Sequence, residues 1–154
     1  MIGTKFKKDD YDLSAYVKCA EWCNANDATI IDSGDYYECV AIPLQAVKDT
    51  KIEELKTIRN ARELQPIEYN GYLFDFDRDA IMRMELAERA LQKGGTITWT
   101  DANNNRVNGV NAEDLTGILN AGTERSNALH IRYNELKAMV LNAKTVKEVN
   151  AIKW

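Results

Sequence analysis

Apolar residues recur at helical spacing in "DLSAYVKCAEWCNAN", where Leu13, Tyr16, Val17, Ala20 and Cys23 form the repeat and Asp12 or Ser14 is placed to cap. The runs "ATIID" and "YYECVAI" flank a Ser-Gly-Asp turn and predict a β-hairpin. A helix and hairpin of about forty residues sit at or below the size that folds alone, so this unit must lean on the rest of the chain or on a second subunit. Pro43 marks a boundary and suits the first turn of a helix over "LQAVKDTKIEELKTIRNARE". Its apolar positions, Leu44, Val47, Ile52, Leu55 and Ile58, make a thin seam among Lys, Glu and Arg. So narrow a seam suits a connecting helix or a two-heptad coiled coil.

Beyond that helix, Asn70-Gly71 lies between two β-prone runs in "PIEYNGYLFDFD", the pattern of a two-residue type I′ hairpin. A helix is predicted from about Arg78 to Lys93, ending at Gly94-Gly95, and "TITWT" and "RVNGV" then read as strands. From Asn111 the chain reads as helical almost to its end, with Asn111 capping and Asp114 three residues on. Its apolar stripe is Leu115, Ile118, Leu119, Leu129, Tyr133, Leu136 and Val140, and Gly117 and Gly122 are places for a bend or break. A last short turn of helix leads to Trp154. The expected fold class is α+β and mostly helical: short β-hairpins packed against long helices, with a small N-terminal helix-hairpin unit. Three segments follow: 1-43 as that unit, 44-63 as a connecting helix and 64-154 as an α+β domain.

Composition narrows the function classes. The 154 residues carry 20 basic and 24 acidic side chains, a net charge of -4 with the signs interspersed, so no electropositive face is expected and nucleic acid is not an expected partner. No apolar run approaches the ~18 residues that a membrane span needs, and "MIGTKFKKDDYD" has no apolar h-region, so neither membrane nor export is expected. Cys19, Cys23 and Cys39 are an odd number, which argues against a disulfide framework. Cys19 and Cys23 share a helix face and Cys39 could complete a three-thiolate site. Zinc, however, favours a fourth ligand and a tighter knuckle, so packed structural thiols are the expected state.

The stretch "TDANNNRVNG" raises calcium, because Asp101, Asn103 and Asn105 match the first three ligand positions of an EF-hand loop. The sixth position, which needs Gly, is Arg106, and the twelfth, which needs Glu, is Ala112. Asp75, Asp77 and Asp79 fail in the same way at Ala80 and Leu86. Hairpin turns collect Asn and Asp without any ligand, so a turn is expected, with Trp99 packed beside the long helix. His130 is the only histidine and the only base near neutral pH, and flanked by Leu129 and Tyr133 it reads as a half-buried structural residue. Neither a G-x-S-x-G elbow nor a phosphate loop is present, and no enzyme, cofactor or metal is expected.

In order, "PIEYNGYLFDFD", "GGTITWTDANNNRVNGVNAEDL" and "ERSNALHIRYNELKAMVLNAKTVKEVNAIKW" resemble an uncharacterised C-terminal domain family of phage tail-fibre-associated proteins, similar to phage tail assembly chaperones. The resemblance runs from about Lys51 to Trp154, roughly two-thirds of the chain. Asn103 and Asn104 stand where that family usually shows Asp-Asn. The likeness implies a non-enzymatic role as a tail-fibre assembly chaperone or a small tail or baseplate component, in the cytoplasm of a bacterial host or in the virion tail. The expected partner is a phage tail-fibre or baseplate protein, and the alternative is a small phage-encoded protein that binds a host factor. A homo-oligomer is expected as well, through Val47, Ile52, Leu55 and Ile58, whose seam is flanked by Lys and Glu as coiled-coil edges are.

Overall fold

The computed structural model describes all residues from Met1 to Trp154. It has five helices and small antiparallel sheets, the mostly helical α+β class expected. In chain order these are β1 (Lys5–Lys7), α1 (Leu13–Ala25), β2 (Ala28–Ser33), β3 (Tyr36–Ala41), α2 (Leu44–Glu63), β4 (Ile67–Tyr69) and β5 (Tyr72–Phe74). They continue with α3 (Arg78–Leu91), β6 (Ile97–Thr100), β7 (Arg106–Val110), α4 (Ala112–Asn142) and α5 (Val146–Ala151). No helix is long and apolar enough to cross a membrane.

Two compact units are present, one of Met1–Glu54 with Leu136–Trp154 and one of Leu55–Glu135. Their bounds fall inside α2 and α4, and so differ from the expected segments 1-43, 44-63 and 64-154. The physical reason is that a long helix can place its two ends in different cores, which a reading by element boundaries does not register.

In the first unit β1, β3 and β2 form an antiparallel sheet in that order, with Phe6 opposite Tyr37 and Ile30 opposite Cys39. β1 was not expected, because Lys5-Phe6-Lys7 offers one apolar residue between two charges. Phe6 is nevertheless buried, with its ring edge-on to Tyr16 at 5.4 Å. Asp12 caps α1 by accepting from Ser14 N–H. The buried face of α1 is Cys19 and Cys23, while Leu13 and Val17 are exposed, so the expected face is corrected by a rotation toward the thiols. Small apolar thiols let a helix lie close to a sheet, and the larger aliphatic residues stay outside.

Lys48 and Lys51, two of the basic residues that flank the seam of α2, are both buried. Lys48 Nζ donates to the Leu141 carbonyl oxygen at 2.8 Å, meeting one of the carbonyls that the C-terminus of α4 leaves unpaired. Lys51 Nζ lies 2.7 Å from Glu54 Oε2.

The second unit packs Ile67, Phe74, Phe76, Met84, Val107, Val110, Leu115 and Ile118 into one core. Asn70 and Gly71 both adopt positive φ, +49° and +79°, as the type I′ turn joining β4 to β5 requires. Asp77 caps α3 through Ala80 N–H. Asn111 and Asp114 cap α4 reciprocally, each side chain accepting from the other's N–H. α4 runs unbroken from Ala112 to Asn142, so neither Gly117 nor Gly122 breaks it. Those glycines instead admit neighbours: a Cβ on Gly117 would stand 2.5 Å from Tyr69 Oη, and one on Gly122 only 1.9 Å from Phe76 Cζ.

Candidate functional site

The β6-β7 hairpin carries the stretch that raised calcium. Asp101 is 3% exposed, and its Oδ1 accepts from Asn103 N–H at 2.9 Å and Asn105 N–H at 2.7 Å, while Oδ2 accepts from the Asn105 amide at 3.2 Å. Asn104 takes positive φ at the tip. The carboxylate thus closes its own turn, with both oxygens accepting from N–H donors. Burial acts to raise its pKa, but the bonds from Asn105 and Asn103 outweigh it and hold the carboxyl below its usual range. A depressed folded-state pKa contributes stability in full above the ordinary carboxylate value, about 3.9, and loses it as pH falls through the lower folded value. Asp101→Ala should therefore lower the melting temperature at neutral pH and flatten the acid limb of the stability curve. Superimposable acid-unfolding curves for variant and parent would contradict this role.

Beside the turn lies an open cleft of about 370 Å³ lined by Asp75, Arg83, Thr98, Trp99, Thr100, Asp101 and Asn104. Trp99 is half-buried: it packs against the core of the second unit and also walls the cleft. It is therefore neither a fully buried tryptophan nor a free surface ring. Asp75 had been singled out only as a failed calcium ligand, and Arg83 carried no sequence signal, because only the fold sets α3 against the strand end.

A second polar group gathers around Glu63 at the end of α2. Arg125 Nη2 donates to the Glu63 carbonyl at 2.7 Å and Nη1 to the Pro66 carbonyl at 3.1 Å, with the guanidinium 5.3 Å from the Phe76 ring centroid. Arg125 so serves as a C-terminal cap for α2. Its Nε is buried without a hydrogen-bond partner, and burial, opposed by the Glu63 charge, lowers its pKa. Ser126 Oγ donates to Glu63 Oε1 at 2.8 Å, and His130 Nε2 lies 2.8 Å from the same oxygen. Nucleophilic catalysis needs the histidine between serine and carboxylate. Here the carboxylate stands between them, an order that anchors His130 and Ser126 to the helix end. The His130 side chain is 49% exposed.

The three cysteines are free, buried and brought together, with all three sulfurs within 4.8 Å of one another and Cys23 Sγ 3.3 Å from Cys39 Sγ. Burial and the Cys39 neighbour push the Cys23 thiol up to about 12, and raise Cys19 as well. Of the seam residues, Leu55 is 1% exposed within the single chain, while Val47, Ile52 and Ile58 are half-buried.

The fold defines a mostly helical α+β protein with two β-hairpins in the core that holds the Trp99 cleft. The chain belongs to the family described as a domain of unknown function, DUF4376, whose model matches residues 46–153. That span takes in the cleft and the Glu63 group and leaves out the three cysteines. Among curated proteins and among solved structures, none matches the chain.

Proposed function

We propose that the protein is a non-enzymatic phage or prophage tail-associated protein, a tail-fibre assembly chaperone or small tail or baseplate component acting through protein contacts. The observation that carries this reading is the ordered likeness of Pro66–Asp77, Gly94–Leu115 and Glu124–Trp154 to that class. The cleft supports it physically. Trp and Arg are the residue types that most often dominate protein interfaces, and here Trp99 and Arg83 line one depression held on rigid elements. Glu63 between Ser126 and His130 supports the non-enzymatic half of the reading.

The expected partner is a phage tail-fibre or baseplate protein. Co-expression with a phage tail-fibre protein, followed by affinity measurement, tests it. Arg83→Ala, an exposed substitution that should change stability by no more than about 0.5 kcal/mol, is expected to weaken the complex roughly tenfold or more. Trp99→Ala should weaken it too, while costing about 1–3 kcal/mol of stability because the ring is half in the core. Unchanged affinity in both variants would overturn the assignment of the cleft. The proposal includes a homo-oligomer only through what α2 leaves at the surface, Val47, Ile52 and Ile58. Light scattering from the full chain that shows a multimer supports this part, and a monomer overturns it.

A further inference from the structure

The three cysteines lie outside the residues that carry the functional reading, and the positions they fill do more than pack. Two come from consecutive turns of α1 and one from β3, so the helix and the sheet bring their sulfurs to one point. Volume alone would be met by Ala, Ser or Val at any of the three. Instead Cys39 is 0%, Cys19 1% and Cys23 5% exposed, and every sulfur is within 4.8 Å of the other two. A metal bonded to sulfur at about 2.3 Å needs its sulfurs about 3.8 Å apart in a tetrahedron and about 4.0 Å apart in a planar triangle. Both values fall between the 3.3 Å of Cys23 to Cys39 and the 4.8 Å limit. The Cys23 and Cys39 sulfurs have to part by about 0.5–0.7 Å, within the reach of side-chain rotation.

We propose that Cys19, Cys23 and Cys39 form a three-sulfur binding site for monovalent copper, a soft thiophilic cation, within the core of the first unit. The choice of ion follows from the donor set. The cluster contains sulfur only, with no imidazole or carboxylate in it, whereas structural zinc is almost always four-coordinate. Phe6 shares the buried cluster with the thiols, and Tyr16 and Tyr37 pack against it, so the immediate surroundings are aromatic. Soft thiolates in a dry site with three positions suit monovalent copper, which accepts low coordination and prefers sulfur over nitrogen and oxygen. Binding displaces thiol protons to solvent, and no electron is transferred.

The experiment is an anaerobic titration of the reduced, full-length chain with monovalent copper, followed by ultraviolet absorption. The expected result is a thiolate-to-copper charge-transfer band that saturates at one ion per chain and is not displaced by added zinc. X-ray absorption of that complex should show three sulfur neighbours at about 2.3 Å. Cys39→Ser should abolish the saturable band while far-ultraviolet circular dichroism keeps its helical signal. Cys19→Ser provides the same comparison if Cys39→Ser does not fold. A parent chain with no saturating band, a band that persists in the folded Ser variants, or displacement of copper by zinc would each overturn the proposal. Because the readout is metal binding alone, its failure leaves the tail-associated reading untouched.

Discussion

Phe74→Ala should destabilise the second unit by about 3–5 kcal/mol, the largest loss expected from a single truncation in this chain. Phe74 is 2% exposed and sits at the end of β5 opposite Ile67, where it joins Phe76, Met84, Val107 and Leu115 in one core. Truncation removes the transfer free energy of the ring and leaves a cavity that strands and helices on every side are too constrained to fill. Denaturant unfolding monitored by tryptophan fluorescence measures the change, Trp99 lying against the same core. A loss below about 1 kcal/mol would mean that the β4-β5 hairpin is not seated as described.

The second large effect has a sign that separates the structure from the sequence. Gly122 lies within α4, where ordinary helix propensity predicts that Gly→Ala stabilises by about 1 kcal/mol. The fold predicts the opposite. A methyl group there would meet Phe76 Cζ at 1.9 Å and Cε1 at 2.3 Å, distances no folded protein sustains, and Phe76 is itself buried with Arg125 above its ring. Gly122→Ala is therefore expected to cost about 3 kcal/mol, the upper part of the range for overpacking a core. Combining it with Phe76→Leu should recover part of that loss, since the smaller side chain vacates the contact. A stabilised Gly122→Ala variant would contradict the packing of Phe76 against α4.

These two residues also show what could be read from the sequence and what could not. Asn70-Gly71, the Asn111 and Asp114 pair, and the Asp12 cap are local devices, governed by backbone geometry within four residues, and the chain declares them openly. The α2 helix likewise begins after Pro43 and ends at Glu63 as its periodicity requires. Gly117 and Gly122 were ambiguous because a helical glycine marks either a bend or a close neighbour, and only the positions of Tyr69 and Phe76 decide between them. Long-range packing likewise decides how the edges of the α2 seam are placed. Its lysines look like coiled-coil flanks in sequence, yet Lys48 reaches the Leu141 carbonyl, ninety-three positions away. In the candidate site Trp99 and Asp101 were legible as a hairpin and its turn, whereas Arg83 and Arg125 enter through long-range packing that leaves no local trace. The cysteines fall between these cases: the helical pair was visible at its i, i+4 spacing, but the pairing register of β3 was needed to bring Cys39 to it.

The tail-associated role is tested most directly by quantitative mass spectrometry of two fractions from phage-producing cells: purified virions and the assembly intermediates that contain the tail fibre. The account predicts this chain in at least one of them, at a fixed ratio to a fibre or baseplate protein. Presence in virions identifies a tail component, and presence only with intermediates identifies an assembly chaperone. Expression of the chain with no copies in either fraction would contradict the account.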